Sequence, residues 1–151
     1  MNYTDLCADL RALIREVPHL TANLANAAAI IWQRTEQINW AGFYLREGNK
    51  LVLGPFQGKP ACIEIPLGRG VCGTAAEKNE TQLVPDVHKF PGHIACDSES
   101  RSEIVVPIRK NGEAIGVLDI DSPMLSRFSA TDKAGFEAVA AVIEEELWDL
   151  L

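Results

Sequence analysis

Two runs of alternating apolar and polar residues, 102–110 and 113–121, flank an Asn111-Gly112 dipeptide. Asn-Gly readily takes the positive φ angles of a tight hairpin turn, so the two runs are predicted to pair as antiparallel strands. A plain two-residue turn pairs Lys110 with Glu113, and that register sets Ile104 against Asp119 and Glu103 against Ile120. The hydrophobic pattern opposes it, because a one-residue slip moves every side chain to the other face. Ile104, Val106 and Ile108 share even numbering with Ala114, Gly116, Leu118 and Ile120. They form one continuous apolar face if a three-residue loop or a bulge shifts the pairing by one. The same shift gathers Glu103, Asp119 and Asp121 on the opposite face. The preferred partner for Glu103 is then Asp119, with Asp121 the second choice.

The rest of the chain supplies elements to cover such a hairpin. Thr4-Asp5 starts a helix with Leu6, Leu10, Leu13, Ile14 and Val17 on one stripe, stopped before Pro18. Cys7 lies on that stripe and reads as a small core hydrophobe. A second helix runs from Thr21 to about Gln37, carrying Leu24, Ile31 and Trp32. Strands are predicted from Trp40 to Arg46, Lys50 to Phe56, Cys62 to Pro66, and Thr81 to Val84. The glycine-dense segment 68–74 leads into a short helix near Ala75-Ala76-Glu77. It lacks the Lys-Ser/Thr ending of a phosphate loop, so its glycines are read as allowing close chain approach. The stretch from Pro85 to Arg101 has no regular period, yet it is too apolar for a linker; a loop of that length is commonly functional. Ser129 and Asp132 resemble a capping box opening a terminal helix with Phe136, Val139, Ala140, Ile143 and Leu147. Helices against an antiparallel sheet make an α/β (α+β) layer, with helices on one face and the long loop covering a pocket.

Composition narrows the classes. At 151 residues the chain suits one domain, 1–151. Its 14 basic and 21 acidic residues give a net charge of −7. No basic face is on offer for nucleic acid or an anionic membrane. No basic start followed by an apolar run opens the sequence, and no apolar stretch is long enough to span a bilayer. The expected compartment is the cytoplasm, where cysteines more often serve redox or metal chemistry than stable disulfides.

Three of the four cysteines, Cys62, Cys72 and Cys96, fall in loops or at strand ends. A thiol acts as a nucleophile only as thiolate, which an electropositive setting favours. Cys96 has His93 and Arg101 near it in sequence, Cys72 has Arg69 and a helix start, and Cys62 follows Lys59. The hairpin brings Glu103, Asp119 and Asp121 to one end of the sheet. Crowded carboxylates raise one another's pKa and so form a potential general acid, the competing reading being a solvated strand end. Trp40 and Tyr44 share a strand face with Gly42 between them leaving open space. They read either as an aromatic wall for a ligand or as ordinary core. His88, His93 and Cys96 offer zinc-type ligands, but their spacing fits no paired-cysteine finger, and no metal is expected.

Together, the segments Gly68-Arg69-Gly70-Val71-Cys72-Gly73-Thr74, Val84-Pro85-Asp86-Val87-His88, Pro91-Gly92-His93-Ile94-Ala95-Cys96-Asp97, Arg101-Ser102-Glu103-Ile104-Val105-Val106-Pro107 and Gly116-Val117-Leu118-Asp119-Ile120-Asp121-Ser122 resemble free methionine-R-sulfoxide reductases, which are GAF-domain enzymes. The resemblance runs from about Trp40 to Phe128. It implies a GAF-like domain that reduces free L-methionine-(R)-S-oxide to L-methionine. It assigns Cys96 as the attacking cysteine, Cys62 as its main resolving partner, and Cys72 as the third family cysteine. Glu103, Asp119 and Asp121 match acids that bind and protonate the sulfoxide oxygen. Trp40 and Tyr44 match pocket residues around the methyl-sulfur end. A cysteine sulfenic acid and an intramolecular disulfide, recycled by thioredoxin, complete the implied cycle, with no cofactor and with a homodimer as an expected assembly. The alternative from another class is a GAF sensor binding a small ligand without turnover. A sensor is normally fused to an output domain, for which this length leaves no room.

Overall fold

The computed structural model describes residues 1–93 and 98–151. In chain order its elements are α1 (Tyr3–Ile14), α2 (Leu20–Arg34), β1 (Trp40–Glu47), β2 (Lys50–Gly58), β3 (Glu64–Pro66), α3 (Gly70–Lys78), β4 (Gln82–Val84), β5 (Ser102–Lys110), β6 (Glu113–Ser122) and α4 (Ala130–Glu146). Short 3-10 turns occupy Val87–Lys89 and Trp148–Leu150. The described strands form one six-stranded sheet in the order β3-β2-β1-β6-β5-β4, every neighbouring pair antiparallel.

The β5–β6 hairpin resolves the conflict between turn and hydrophobic pattern with a bulge. Asn111 and Gly112 have φ of 54° and 79°, and Lys110 faces Glu113 as in the plain two-residue turn. Arg109 faces Ala114, but Ile108 faces Gly116, so Ile115 is an extra residue on β6. From there Ile104 pairs with Ile120 and Glu103 with Asp121. The preferred Glu103–Asp119 pairing is therefore corrected to the second choice. An extra residue on β6 moves the register one position toward Asp121, whereas facing Asp119 would have needed a one-position shift the other way, with the extra residue on β5 or in the loop. Asp119 lies opposite Val105, two residues along the strand and so on the same face as Asp121.

That register sorts the side chains into two cores. On one face Ile104, Val106, Ile108, Leu118 and Ile120 join Ala41 and Phe43 beneath α1, α2 and α4. Leu6, Leu10 and Ile14 of α1 meet α4 residues Phe136, Val139 and Ile143 there. The buried stripe of α1 is narrower than expected: Leu13 and Val17 stay exposed, as does Trp32 on α2. Cys7 packs partly buried against this core, in keeping with its hydrophobic reading, and burial raises its thiol pKa. α2 ends at Arg34, short of the expected boundary, because Gln37 takes a left-handed conformation (φ 59°) where the chain turns into β1. Ser129 and Asp132 form both bonds of the capping box at the start of α4.

The other face carries Trp40, Tyr44, Leu51, Val105 and Val117, covered by α3 rather than by the three longer helices. α3 begins at Gly70, inside the glycine-dense segment, and a Cβ on Gly73 would lie 2.5 Å from the Pro66 carbonyl oxygen. The close-approach reading of this segment therefore holds at Gly73.

Gly42 does not leave open space. A Cβ there would lie 2.3 Å from the Cβ of Phe56, which a shift in the β1–β2 register brings across the strand. Gly42→Ala is expected to destabilise the fold by about 1–3 kcal/mol, the usual cost of overpacking a filled site. A denaturation midpoint equal to that of the parent protein would show that Phe56 yields freely.

Candidate active site

The strand ends on the α3 face enclose a pocket. Its walls are Trp40 and Tyr44 from β1, Pro60, Ala61 and Ile65 around β3, and Arg69 to Cys72 at the start of α3. Glu103, Asp119 and Asp121 from the hairpin also line it, and His93 and Ser100 reach it from the long 85–101 segment. That segment is not wholly irregular, since Asp86 caps the Val87–Lys89 turn by accepting from the His88 amide. Both of its described flanks thus reach the pocket, as expected of a covering loop.

Glu103 and Asp119 are buried and Asp121 is half-buried, so the acids do not form a solvated strand end. Glu103 is 8% exposed and Asp119 5%, at adjacent positions across one hairpin face. The Cys72 thiol, also 5% exposed, donates to Asp119 Oδ2 at 3.3 Å and lies 3.9 Å from Glu103 Oε2. Burial pushes the pKa of both carboxyls well above the ordinary range, and a second negative charge adds to it, Asp119 acting on Glu103 and Asp121 on Asp119. Loss of hydration disfavours the charged form, and a neighbouring carboxylate disfavours it further, so the cluster holds a proton to higher pH than isolated carboxyls do. Such a cluster can donate a proton to a bound oxygen.

Cys72 sits in a setting opposite to the one its sequence neighbours suggested. Its thiol faces carboxylates, and burial followed by the charges of Asp119, Glu103 and Asp121 raises its pKa far from the thiolate range. Sequence proximity to Arg69 misled because residue 72, on the first turn of α3, turns inward onto the hairpin. His93 likewise offers little positive charge, since burial and then His88 lower its pKa. The two imidazoles meet edge to face with ring centroids 6.2 Å apart.

The core reading of the aromatic pair holds, and the same pair faces the pocket. Trp40 and Tyr44 are buried core residues, stacked at 5.9 Å with a 25° interplanar angle, and they also line the pocket. Their polar tips hold the cysteine-bearing segment: Trp40 Nε1 donates to the Lys59 carbonyl at 3.1 Å, and the Tyr44 hydroxyl to the Cys62 carbonyl at 2.8 Å. Phe56 stacks on Trp40 at 5.1 Å and supports that ring without itself lining the pocket. Sequence reasoning missed it because the β2 irregularity that turns it inward has no local signature. Ser100, 6% exposed, was missed as well; it accepts from Asn39 Nδ2 at 3.0 Å, a contact between residues 61 apart.

Cys62 is disulfide-bonded, whereas Cys7 and Cys72 are free thiols. Cys96, expected to be the nucleophile and also the third member of the His88/His93 metal alternative, lies outside the described residues. Among the described residues, the potential ligand atoms that converge within 4.8 Å of one another belong to Cys72, Glu103 and Asp119.

A helix-backed antiparallel sheet with a polar pocket on its other face is the architecture of a GAF domain, and the GAF-domain family model matches residues 9–147. The free methionine-R-sulfoxide reductase of Escherichia coli (strain K12) is 52% identical over 145 residues, covering 96% of this chain and 88% of that protein. The free methionine-R-sulfoxide reductase of Saccharomyces cerevisiae is 53% identical over 131 residues, covering 82% and 73%. The X-ray structure of free methionine-R-sulfoxide reductase from Neisseria meningitidis in complex with its substrate superposes with a TM-score of 0.93 at 43% identity, over 97% of this chain and 88% of that one. The chain belongs to the free methionine-R-sulfoxide reductase family.

Proposed function

We propose that this protein reduces free methionine-R-sulfoxide to methionine, with Cys96 as nucleophile and the buried acid cluster as proton donor. The observation that carries the reading is the cluster itself, carboxyls crowded in a pocket walled by Trp40 and Tyr44, where burial raises their pKa and favours the protonated form. A sulfoxide needs both features. Its oxygen is a hydrogen-bond acceptor that must gain a proton as its bond to sulfur weakens, and its methyl-sulfur end is apolar.

In the proposed cycle the Cys96 thiolate attacks the sulfoxide sulfur while a carboxyl of Glu103, Asp119 or Asp121 protonates the oxygen. The oxygen transfers to the Cys96 sulfur, leaving a sulfenic acid, and methionine departs with its sulfur reduced by two electrons. The Cys62 thiol then displaces that oxygen as water and forms a disulfide. A thioredoxin-like dithiol in the cytoplasm restores both thiols by exchange, and no resident cofactor takes part. The disulfide-bonded state of Cys62 supports its place in this cycle. Cys72, held as a neutral thiol against Asp119, serves the acid cluster as a hydrogen-bond donor.

A concave pocket lined by aromatic side chains and a few acids suits a free amino acid better than a residue within a protein chain. The expected result is rapid methionine formation from free methionine-R-sulfoxide and little repair of an oxidised protein, compared by mass spectrometry at matched sulfoxide concentrations. Comparable rates on the two substrates would overturn that specificity.

A further inference from the structure

The three groups around the pocket floor have an arrangement that protonation alone does not use. Cys72 Sγ, a Glu103 oxygen and an Asp119 oxygen are all buried and lie within 4.8 Å of one another. A tetrahedral zinc-type ion with sulfur at ~2.3 Å and oxygen at ~2.0–2.2 Å spaces those ligand atoms about 3.5 Å apart. The observed sulfur–oxygen separations, 3.3 Å to Asp119 and 3.9 Å to Glu103, bracket that value. Asp119 adds a second observation: its Oδ1 is buried in a side chain lining the pocket and accepts from no N–H, hydroxyl or thiol among the described residues, the polar neighbours of this carboxyl besides Cys72 being the carboxyls of Glu103 and Asp121. Nor does any lysine or arginine among the described residues form an ion pair with Glu103 or Asp119. Carboxyls crowded in this way hold either a shared proton or a cation between them, and a cation entering the pocket can reach them.

We infer that Cys72, Glu103 and Asp119 form a three-ligand site for a thiophilic divalent cation of the zinc and cadmium class, and that this ion excludes the sulfoxide from the pocket. One thiolate and two carboxylates balance a divalent ion to within one charge. The sulfur ligand favours zinc or cadmium over magnesium or calcium, which prefer sites built from oxygen alone. Cation binding rests on the geometry of the cluster, while its competition with substrate rests on the function proposed above.

The test uses the protein with Cys62 in its disulfide and Cys7 replaced by serine, so that Cys72 is the free thiol among the described residues. Cadmium titration followed by calorimetry and by the ultraviolet thiolate-to-cadmium absorption is expected to give one site per chain. Cys72→Ser should abolish the absorption, and Asp119→Asn should weaken binding at least tenfold while retaining it. Free methionine sulfoxide should lower the apparent cadmium affinity in proportion to its concentration. No one-site binding in the parent protein, or an absorption that survives in Cys72→Ser, overturns the site. Cadmium binding that depends on Cys72 but ignores methionine sulfoxide overturns the exclusion, and it places the fault in the substrate reading rather than in the cation site.

Discussion

Cys96→Ser is expected to reduce methionine sulfoxide no faster than the background, because a serine hydroxyl is a far weaker nucleophile than a thiolate at neutral pH. Cys62→Ser should fail differently. Attack and oxygen transfer precede disulfide formation, so this variant should release about one methionine per chain in a single rapid phase. It should then stall when coupled to thioredoxin. Rapid-quench measurement of methionine separates the two phenotypes, with the sulfenic acid trapped by a dimedone-type reagent in Cys62→Ser alone. Cys72 is the control within the same experiment. Its thiol is buried against carboxylates and held protonated, so it is poorly placed to substitute as an attacking or resolving thiolate. Full thioredoxin-coupled turnover by Cys96→Ser would sink the assignment of the nucleophile. Full coupled turnover by Cys62→Ser would transfer the resolving role to another thiol.

The hairpin shows how far local chemistry carries and where it stops. Asn111-Gly112 predicted the turn, and the even-numbered apolar residues predicted that a plain two-residue register could not persist. Together they implied a one-residue shift, and the structure supplies it at Ile115. The partner of Glu103 depended on the direction of that shift, and the sequence-based preference for Asp119 took the opposite direction, because alternation alone does not say which strand carries the extra residue. The acid cluster was legible because period-two alternation puts Glu103, Asp119 and Asp121 on one face wherever the bulge falls. The setting of Cys72 was not, because it depends on α3 crossing the face opposite the other three helices, a tertiary arrangement with no local signature. Gly42 illustrates the same limit. A glycine between two aromatics reads equally well as space or as contact, and only the β1–β2 irregularity that delivers Phe56 decides between them. The two readings of Trp40 and Tyr44, core and pocket wall, proved compatible because a rigid wall has to be packed from behind.

Neutralising one member of the acid cluster should depress catalysis strongly and flatten the dependence of stability on pH. General acid catalysis by a positioned side chain contributes about 10²–10⁴-fold, so Asp119→Asn or Glu103→Gln is expected to lower kcat/KM by a factor in that range. The pH effect follows from linkage. Both carboxyls have pKa values raised well above those of the unfolded chain, chiefly by burial. Above an ordinary carboxyl pKa of about 4, the folded protein therefore binds more protons than the unfolded one. The stability this proton uptake contributes is fully present below that pKa and is lost as pH rises through the raised folded-state values. Wild-type Tm should accordingly fall between weakly acidic and weakly alkaline pH through these two groups. Each variant removes one titrating carboxyl and its push on its neighbours, so the difference between the two curves reports the coupled cluster. The gap between variant and wild type should move in the variant's favour as pH rises, while wild-type activity declines over the same interval as the cluster loses its proton. Parallel Tm curves for wild type and both variants would mean that the carboxyls enter the folded state already charged, and the proton donor would have to be sought elsewhere in the pocket.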